Sequence, residues 1–207
     1  PIDRGDYVPF LENLKKAWPA VIWFDILFLD KWKDAKKDEL FSKKIKELWN
    51  IVLWFDIRNE KDAIMPFKPF FEWAKWVWFF QPFVNPNTQK VSSIEPFRWL
   101  LLNGKKSYFE SFSFSLLRTY YNFLFSKNDK KINPWISNKN YNFLSKKIPV
   151  FISNIIWDRR AVEFVINFAN SNLFKRESFY NIYTWNYNKD DFKDKIVLVW
   201  YTAEWVK

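Results

Sequence analysis

Ile196-Val197-Leu198-Val199-Trp200 is a continuous apolar run that follows the charged segment over residues 189–195. A short apolar run without polar alternation is typical of a strand buried on both faces of a parallel sheet. Upstream, residues 148–156 are β-branched and aromatic, as in a strand, and residues 159–170 have the spacing of an amphipathic helix. The order strand, helix, strand predicts a βαβ-like unit, and therefore an α/β fold, in the second half of the chain.

The first 60 residues have an apolar spacing that is typical of helices. Behind a charged run over residues 31–39, apolar side chains recur on one helical face at Leu40, Phe41, Ile45, Leu48, Trp49, Val52 and Leu53. We therefore expect two helices in this region. Residues 18–26 also resemble residues 49–57, but two copies of a short apolar run are too few to indicate a repeat architecture. We interpret this similarity as coincidence.

Residues 66–96 combine five prolines with many aromatic side chains. We interpret this composition as core packing, with a protein-binding surface and a base-stacking surface as alternatives. Gly104-Lys105-Lys106 has the composition of a turn, and residues 111–127 then resume helical spacing. The prediction is α/β, or α+β overall: a mainly helical, Trp- and Phe-rich extension over residues 1–110, followed by a partial doubly wound α/β domain over residues 111–207.

The composition of the 207 residues excludes several classes of chemistry, because there is no His, no Cys and only 2 Gly. Structural zinc, disulfides, the usual haem and iron–sulfur ligation, and Ser-His-Asp or Cys-His nucleophiles all need the missing residues. Two glycines cannot form a phosphate-binding loop or a dinucleotide fingerprint. Asp25 and Asp56, each after an apolar run, are the best candidates for a metal site, although surface aspartates explain them as simply. We expect no enzymatic activity and no cofactor.

The charge balance favours a polyanionic partner. The chain has 33 Lys and Arg against 23 Asp and Glu, which gives a formal net charge of +10. A membrane-spanning helix needs about 20 mostly apolar residues. The apolar runs over residues 17–24 and 76–84 end at Asp25 and at the polar residues 85–87. We therefore expect RNA as a partner and no transmembrane segment.

The composition also indicates the kind of gene. Phe, Tyr, Ile, Asn and Lys account for 95 of the 207 residues, and their codons consist mostly of A and T. The 14 Trp are explained if the stop codon TGA is read as Trp, as in an organelle or a reduced bacterium. We favour an organelle. In an artificial sequence, the remaining alternative, the composition would have no evolutionary meaning.

Four landmarks in the second half follow one another in a familiar order. They are Leu116-Leu117 followed by the aromatic turn Asn122-Phe123-Leu124-Phe125, Ile132-Asn133-Pro134-Trp135, Ala161-Val162-Glu163-Phe164-Val165 and Lys195-Ile196-Val197-Leu198-Val199. In this order, residues 111–207 resemble the N-terminal part of the small-subunit ribosomal protein S-two family in its mitochondrial form. The family's His-Phe-Gly-His turn lacks both His and Gly here. The family domain continues beyond the matched part, so the resemblance implies either a split gene with a separately encoded C-terminal half or a heavily eroded version of the domain.

The resemblance implies a structural constituent of the mitochondrial small ribosomal subunit, active in translation as part of a ribonucleoprotein in the matrix. Its partners would be ribosomal RNA and other small-subunit ribosomal proteins. The candidate RNA-binding residues are the basic side chains near the loops, each able to contact a phosphate: Lys127, Lys130, Lys131, Lys139, Lys146, Lys147, Arg159, Arg160, Lys175 and Arg176. The alternative is a peripheral accessory subunit of a mitochondrial respiratory complex or ATP synthase, held at the membrane interface by its Trp-rich segment.

Overall fold

A computed structural model describes the backbone of residues 2–48, 50–59, 61–74, 76–79, 82–84, 91–94, 97–102, 104–125, 135–137, 140–143, 146–149, 151–156, 159–165 and 174–200. The helices in this part of the chain are α1 (Tyr7–Lys15), α2 (Ala35–Glu47), α3 (Lys68–Trp73), α4 (Phe112–Phe125) and α5 (Phe179–Tyr183). The first strands are β1 (Val21–Phe24), β2 (Ile51–Asn59), β3 (Asp62–Ile64), β4 (Trp76–Phe79), β5 (Pro82–Val84), β6 (Val91–Ile94), β7 (Phe97–Leu102) and β8 (Lys105–Glu110). The remaining strands are β9 (Trp135–Ser137), β10 (Asn140–Phe143), β11 (Lys146–Pro149), β12 (Phe151–Ile156), β13 (Arg159–Val165) and β14 (Ile196–Val199).

A parallel sheet joins the two ends of the described chain. Strand β1 pairs in parallel with β14 on one side and with β2 on the other. The strand order is β14-β1-β2-β3, and β4 pairs with β2. Helix α2 connects β1 to β2, so the parallel βαβ unit lies at the start of the chain. The α/β class and the strand at 196–199 are therefore confirmed. The parallel partner of that strand is Val21–Phe24, in the first part of the chain.

The first 60 residues contain the two expected helices, α1 and α2, together with two strands that the helical spacing concealed. The apolar positions Val52 and Leu53 belong to β2, so the apparent helical face continues past the end of α2 into a buried strand. The similar segments at 18–26 and 49–57 contain the neighbouring strands β1 and β2. Both segments are apolar because each strand is buried within the same sheet.

The helix expected over residues 159–170 is wrong. Residues 159–165 form β13, which pairs antiparallel with β12 and with β6. Val162, Phe164 and Ile166 recur every two positions, which is the period of a strand. Val162, Val165 and Ile166 also have the spacing of one helical face, so the sequence pattern fits both. The expected strand over residues 148–156 is divided between β11 and β12, which belong to different sheets. Residues 166–170, and the predicted polar break at 126–134, lie outside the described residues.

Two compact units make up the described chain. The first contains residues 1–55, 64–77 and 171–207, so it takes residues from both predicted segments, and the second contains residues 56–63 and 78–170. The second unit includes the hairpin of β7 and β8, with Gly104 at its turn (φ +74°) as the composition predicted, and α4, which confirms the helical spacing after residue 111. Of the Pro- and aromatic-rich segment at 66–96, residues 75, 80–81, 85–90 and 95–96 lie outside the described residues.

The core of the first unit lies between helices and one face of the parallel sheet. Alternate strand residues, Ile22 and Phe24 on β1 and Ile51 and Leu53 on β2, contribute to this face. Helices α1, α2, α3 and α5 cover it with the apolar side chains Tyr7, Phe10, Leu11, Leu14, Phe41, Ile45, Phe70 and Ile182. The opposite face carries Val21, Trp23 and Val52, which are also buried. Burial on both faces explains the continuous apolar runs in the sequence.

Candidate functional site

The carboxyl ends of the parallel strands form the candidate site. In open α/β sheets, ligands bind outside the carboxyl ends of the strands, where the connecting segments diverge. Here β1 lies between β14 and β2, and the chain leaves it at Asp25. The backbone N–H of Asp25 donates a hydrogen bond to the carbonyl of Val199 (2.7 Å). That bond fixes the position of Asp25 at the rim of the sheet.

Asp25 is a carboxylate whose environment disfavours its charge. Its side chain reaches solvent, yet its partial burial raises its pKa above the usual range for aspartate. Among the described residues, the structure records no ion pair that compensates it. A carboxylate held at a sheet rim without a cation partner costs stability, and such groups are frequent at functional sites.

A buried arginine holds the segment between Asp25 and α2. The Nη1 atom of Arg4 lies 2.5 Å from Oδ1 of Asp38, with both side chains buried, and its Nη2 donates to the carbonyl of Asp30. Four aromatic rings surround the guanidinium, with centroids 5.1–5.9 Å from its central carbon: Phe28, Trp32, Phe67 and Phe70. Cation–π attraction and hydrogen bonds together compensate the buried charge.

Asp38 joins α2 to the segment after β1, because its second carboxylate oxygen accepts a hydrogen bond from the backbone N–H of Trp32 (2.7 Å). Helix α2 begins after Asp34, whose side chain caps it by accepting from the N–H of Lys36 (3.0 Å). Lys37 pairs with Asp3 (2.7 Å), and this hydrogen bond lowers the pKa of Asp3 and raises the pKa of Lys37. The rim next to Asp25 is therefore tied at several points to the start of the chain.

The metal site considered for Asp25 and Asp56 has no further support. Asp56 lies within β2 and is half-buried. Across the residues that the structure describes, no three Asp or Glu side chains lie close enough together to hold a metal ion. The described part of the rim offers the Asp25 carboxylate, which is held next to β14 by its backbone hydrogen bond and suits ionic recognition of a cation-bearing molecule.

The predicted RNA-binding residues fall on separate segments. Lys127, Lys130, Lys131 and Lys139 lie outside the described residues. Lys146 and Lys147 belong to β11, while Arg159 and Arg160 belong to β13 in another sheet. Lys175 and Arg176 lie exposed before α5, and Lys175 forms an ion pair with Asp191. Sequence reasoning missed Arg4 and Asp38, because no local pattern distinguishes a buried Arg–Asp pair from surface charges.

Comparison with known families identifies the chain. The family model of the CHASE2 domain matches residues 1–207. The chain belongs to the CHASE2 domain family. No curated protein and no solved structure matches it. CHASE2 domains are extracellular sensory domains of signalling proteins. None of the helices in the described part of this CHASE2 domain combines the length and the apolar character needed to cross a bilayer.

The match overturns the ribosomal interpretation. The identification with the ribosomal S-two family is wrong, as are the role in translation, the RNA and ribosomal-protein partners and the mitochondrial location, because the whole chain matches a sensory domain. The alternative role in a respiratory complex or ATP synthase is wrong for the same reason. The fold gives the physical cause: β14 pairs with β1, and the supposed helix after β12 is a strand. The landmarks therefore follow the same order as in the ribosomal family, but they do not form the βαβ unit of that family.

Replacing Asp25 by Asn is expected to stabilise the CHASE2 domain at neutral pH, by up to about 0.5 kcal/mol, as befits a partly solvated site. Because burial raises the pKa of Asp25 in the folded state, the folded chain binds more protons than the unfolded chain between the two pKa values. The wild type therefore loses stability as the pH rises through that interval, and Asp25→Asn does not. Melting temperatures from pH 3 to pH 8, a span chosen around the aspartate pKa of about 4, measure the difference.

Glu39→Gln is the control of opposite sign. The hydrogen bond from Lys43 lowers the pKa of Glu39, so its ion pair stabilises the fold at neutral pH and is lost on acidification. The glutamine variant is expected to be less stable than the wild type at neutral pH and equal to it in acid. A loss of stability at neutral pH in Asp25→Asn would show that the Asp25 carboxylate has a stabilising partner.

Proposed function

We propose that this chain is the extracellular or periplasmic sensing module of a signalling protein. The observation that carries the proposal is the match of the CHASE2 family model to residues 1–207, since that family comprises extracellular sensory domains. Sensing by such a module requires a surface whose occupancy changes the domain. The carboxyl end of the parallel sheet supplies a candidate surface.

The chemistry of that end favours a ligand with a positive charge. Asp25 is oriented by its backbone hydrogen bond to Val199, and its carboxylate forms no ion pair among the described residues, so a bound cation would supply a partner. The neighbouring segment is connected through Arg4 to Asp38 on α2. Occupation of the rim can therefore be transmitted to α2 and to the start of the chain, because both are bonded to the same segment.

The proposal includes no catalytic step. The chain lacks His and Cys, so its only side-chain acids and bases are carboxylates, lysines, arginines and tyrosines. In the part of the chain that the structure describes, no group of three acidic side chains could bind a metal. Recognition without turnover is the activity that this inventory supports best.

The location of the domain can be tested with one introduced cysteine, because these 207 residues contain none and any cysteine elsewhere in the protein can first be replaced by serine. Lys36 is exposed at the start of α2. In the Lys36→Cys variant of the protein that carries this chain, produced in its own cells, a membrane-impermeant maleimide is expected to label the thiol before lysis. The measurement is the labelled fraction in intact cells, divided by the labelled fraction after lysis.

Ser42→Cys provides the matched control on the same helix. Ser42 is buried, and its hydroxyl donates to the carbonyl of Pro69 (3.2 Å). A thiol there is expected to react only after denaturation, whichever side of the membrane the domain occupies. If Ser42→Cys reacts as fast as Lys36→Cys, the variants are unfolded. If both thiols stay unlabelled in intact cells and Lys36→Cys reacts on lysis, the extracellular location is wrong.

A further inference from the structure

The amino end of the parallel sheet presents exposed indoles beside lysine ammonium groups. Trp18, Trp73 and Trp185 are 70%, 45% and 38% exposed. The Nζ atoms of Lys16 and Lys189 lie 4.2 and 4.9 Å from the ring centroid of Trp185, and that of Lys46 lies 3.7 Å from the ring centroid of Trp73. We call these six residues the amino-end patch.

The connections of the chain place the patch at this end. Trp18 precedes β1, and its carbonyl accepts a hydrogen bond from the N–H of Asp194 (3.0 Å), two residues before β14. Lys16 follows α1 directly and reaches Trp185. Lys46 lies in the last turn of α2, which leads to the start of β2. Trp18, Lys16 and Lys46 therefore all lie at the end of the sheet where β14, β1 and β2 begin, opposite Asp25.

Two of the three indoles, those of Trp18 and Trp185, belong to residues with a strained backbone conformation. Within the described residues, only Trp18, Trp185 and Asp194 have positive φ without being glycine, at 54°, 64° and 58°. The left-handed conformation is unfavourable for bulky residues and easy for glycine. All three lie at the amino end of the sheet, and such outliers are concentrated at functional sites. The strain holds exposed rings in place where glycine would give a more relaxed turn.

The charges of the patch match an anionic partner. Lys16, Lys46 and Lys189 form no ion pair among the described residues, so their N–H groups remain open to anions. Asp190 and Asp194 lie in the segment before β14, and Glu47 follows Lys46. The first unit as a whole still carries more basic than acidic side chains, with 18 Lys and Arg against 15 Asp and Glu. Indole rings prefer the headgroup level of a bilayer, where their apolar body and their N–H are both accommodated, and lysines are attracted to anionic headgroups.

We propose that the amino-end patch docks on the surface of an anionic phospholipid bilayer. The three indoles would enter the headgroup layer while the three lysines contact lipid phosphates. Docking through the amino end leaves the opposite end, with Asp25, directed away from the lipid. The inference does not depend on the proposed sensory role, because vesicle binding is a property of the folded chain alone.

Sedimentation with vesicles tests the proposal. The full 207-residue chain is mixed with vesicles of phosphatidylcholine alone or of phosphatidylcholine with phosphatidylglycerol. We expect binding to the mixed vesicles that weakens with added salt, and little binding to the neutral ones. Each of the substitutions Lys16→Gln, Lys46→Gln and Lys189→Gln is expected to weaken binding about fivefold.

Trp18→Gly separates docking from folding. Glycine removes the exposed ring and relaxes the strained φ, so the melting temperature should hold or rise while vesicle binding falls. The matched controls are Trp200→Ala and Lys36→Gln. Trp200 is an indole 42% exposed at the opposite end of the sheet, and Lys36 is an exposed lysine in the first turn of α2. Both should bind like the wild type. The proposal is overturned if the chain binds neither kind of vesicle, or if the controls lose as much affinity as the patch variants.

Discussion

Asp38→Asn lowers the free energy of unfolding by about 3–5 kcal/mol, the cost of leaving one member of a buried ion pair without its counter-charge. Arg4 and Asp38 are both buried, with side-chain exposures of 7% and 6%. The asparagine also weakens the hydrogen bond that Asp38 accepts from Trp32, so the segment after β1 loosens. Urea denaturation followed by far-UV circular dichroism measures the change.

Two further variants serve as controls for Asp38→Asn. Lys43→Gln removes one partner of a solvent-exposed pair on the same helix and is expected to change stability far less than Asp38→Asn. The double variant Arg4→Met/Asp38→Leu replaces the buried pair by apolar side chains and should recover most of the lost stability. If Asp38→Asn unfolds at the same urea concentration as the wild type, the pair does not hold the rim segment in place.

Phe41→Ala is expected to destabilise the first unit by about 3–5 kcal/mol, because a large cavity forms at the centre of its core. Phe41 is fully buried on α2. Its ring lies 5.0–5.4 Å, centroid to centroid, from those of Tyr7, Phe28 and Phe70. These contacts join α1, α2, α3 and the segment after β1, so the loss should appear in a thermal or urea melt.

Leu40→Ala is the adjacent control, since Leu40 is 51% exposed on the same helix. Its removal should change stability by no more than about 0.5 kcal/mol. Equal effects of the two substitutions would mean that α2 presents a different face to the sheet. The comparison therefore tests the orientation of the helix as well as the density of the core.

The sequence predicted individual strands and helices better than it predicted which strands pair with each other. The apolar run at 196–199 is a strand, although only Val197 in it is buried, and residues 112–125 are a helix, as their apolar spacing predicted. Pairing is invisible to such local patterns. β14 joins β1, more than 170 residues away, and no short motif records that contact. The helix expected at 159–170 is wrong because the apolar residues from Val162 to Ile166 fit the period of a strand as well as that of a helix.

The candidate site was visible in part. Asp25 was noticed because it follows an apolar run, and the fold places it at the carboxyl end of a central parallel strand. Arg4 and Asp38 were not noticed, because their burial depends on aromatic rings from four distant positions. The basic residues predicted to bind RNA have only their positive charge in common. Net charge predicts the sign of a partner but does not identify it.

The labelling of Lys36→Cys in intact cells tests most directly the claim that this CHASE2 domain senses the exterior of the cell. We expect the impermeant maleimide to label this thiol to the same extent before and after lysis, with Ser42→Cys protected in both cases. Labelling of Lys36→Cys only after lysis would place the domain inside the cell and overturn the proposed function.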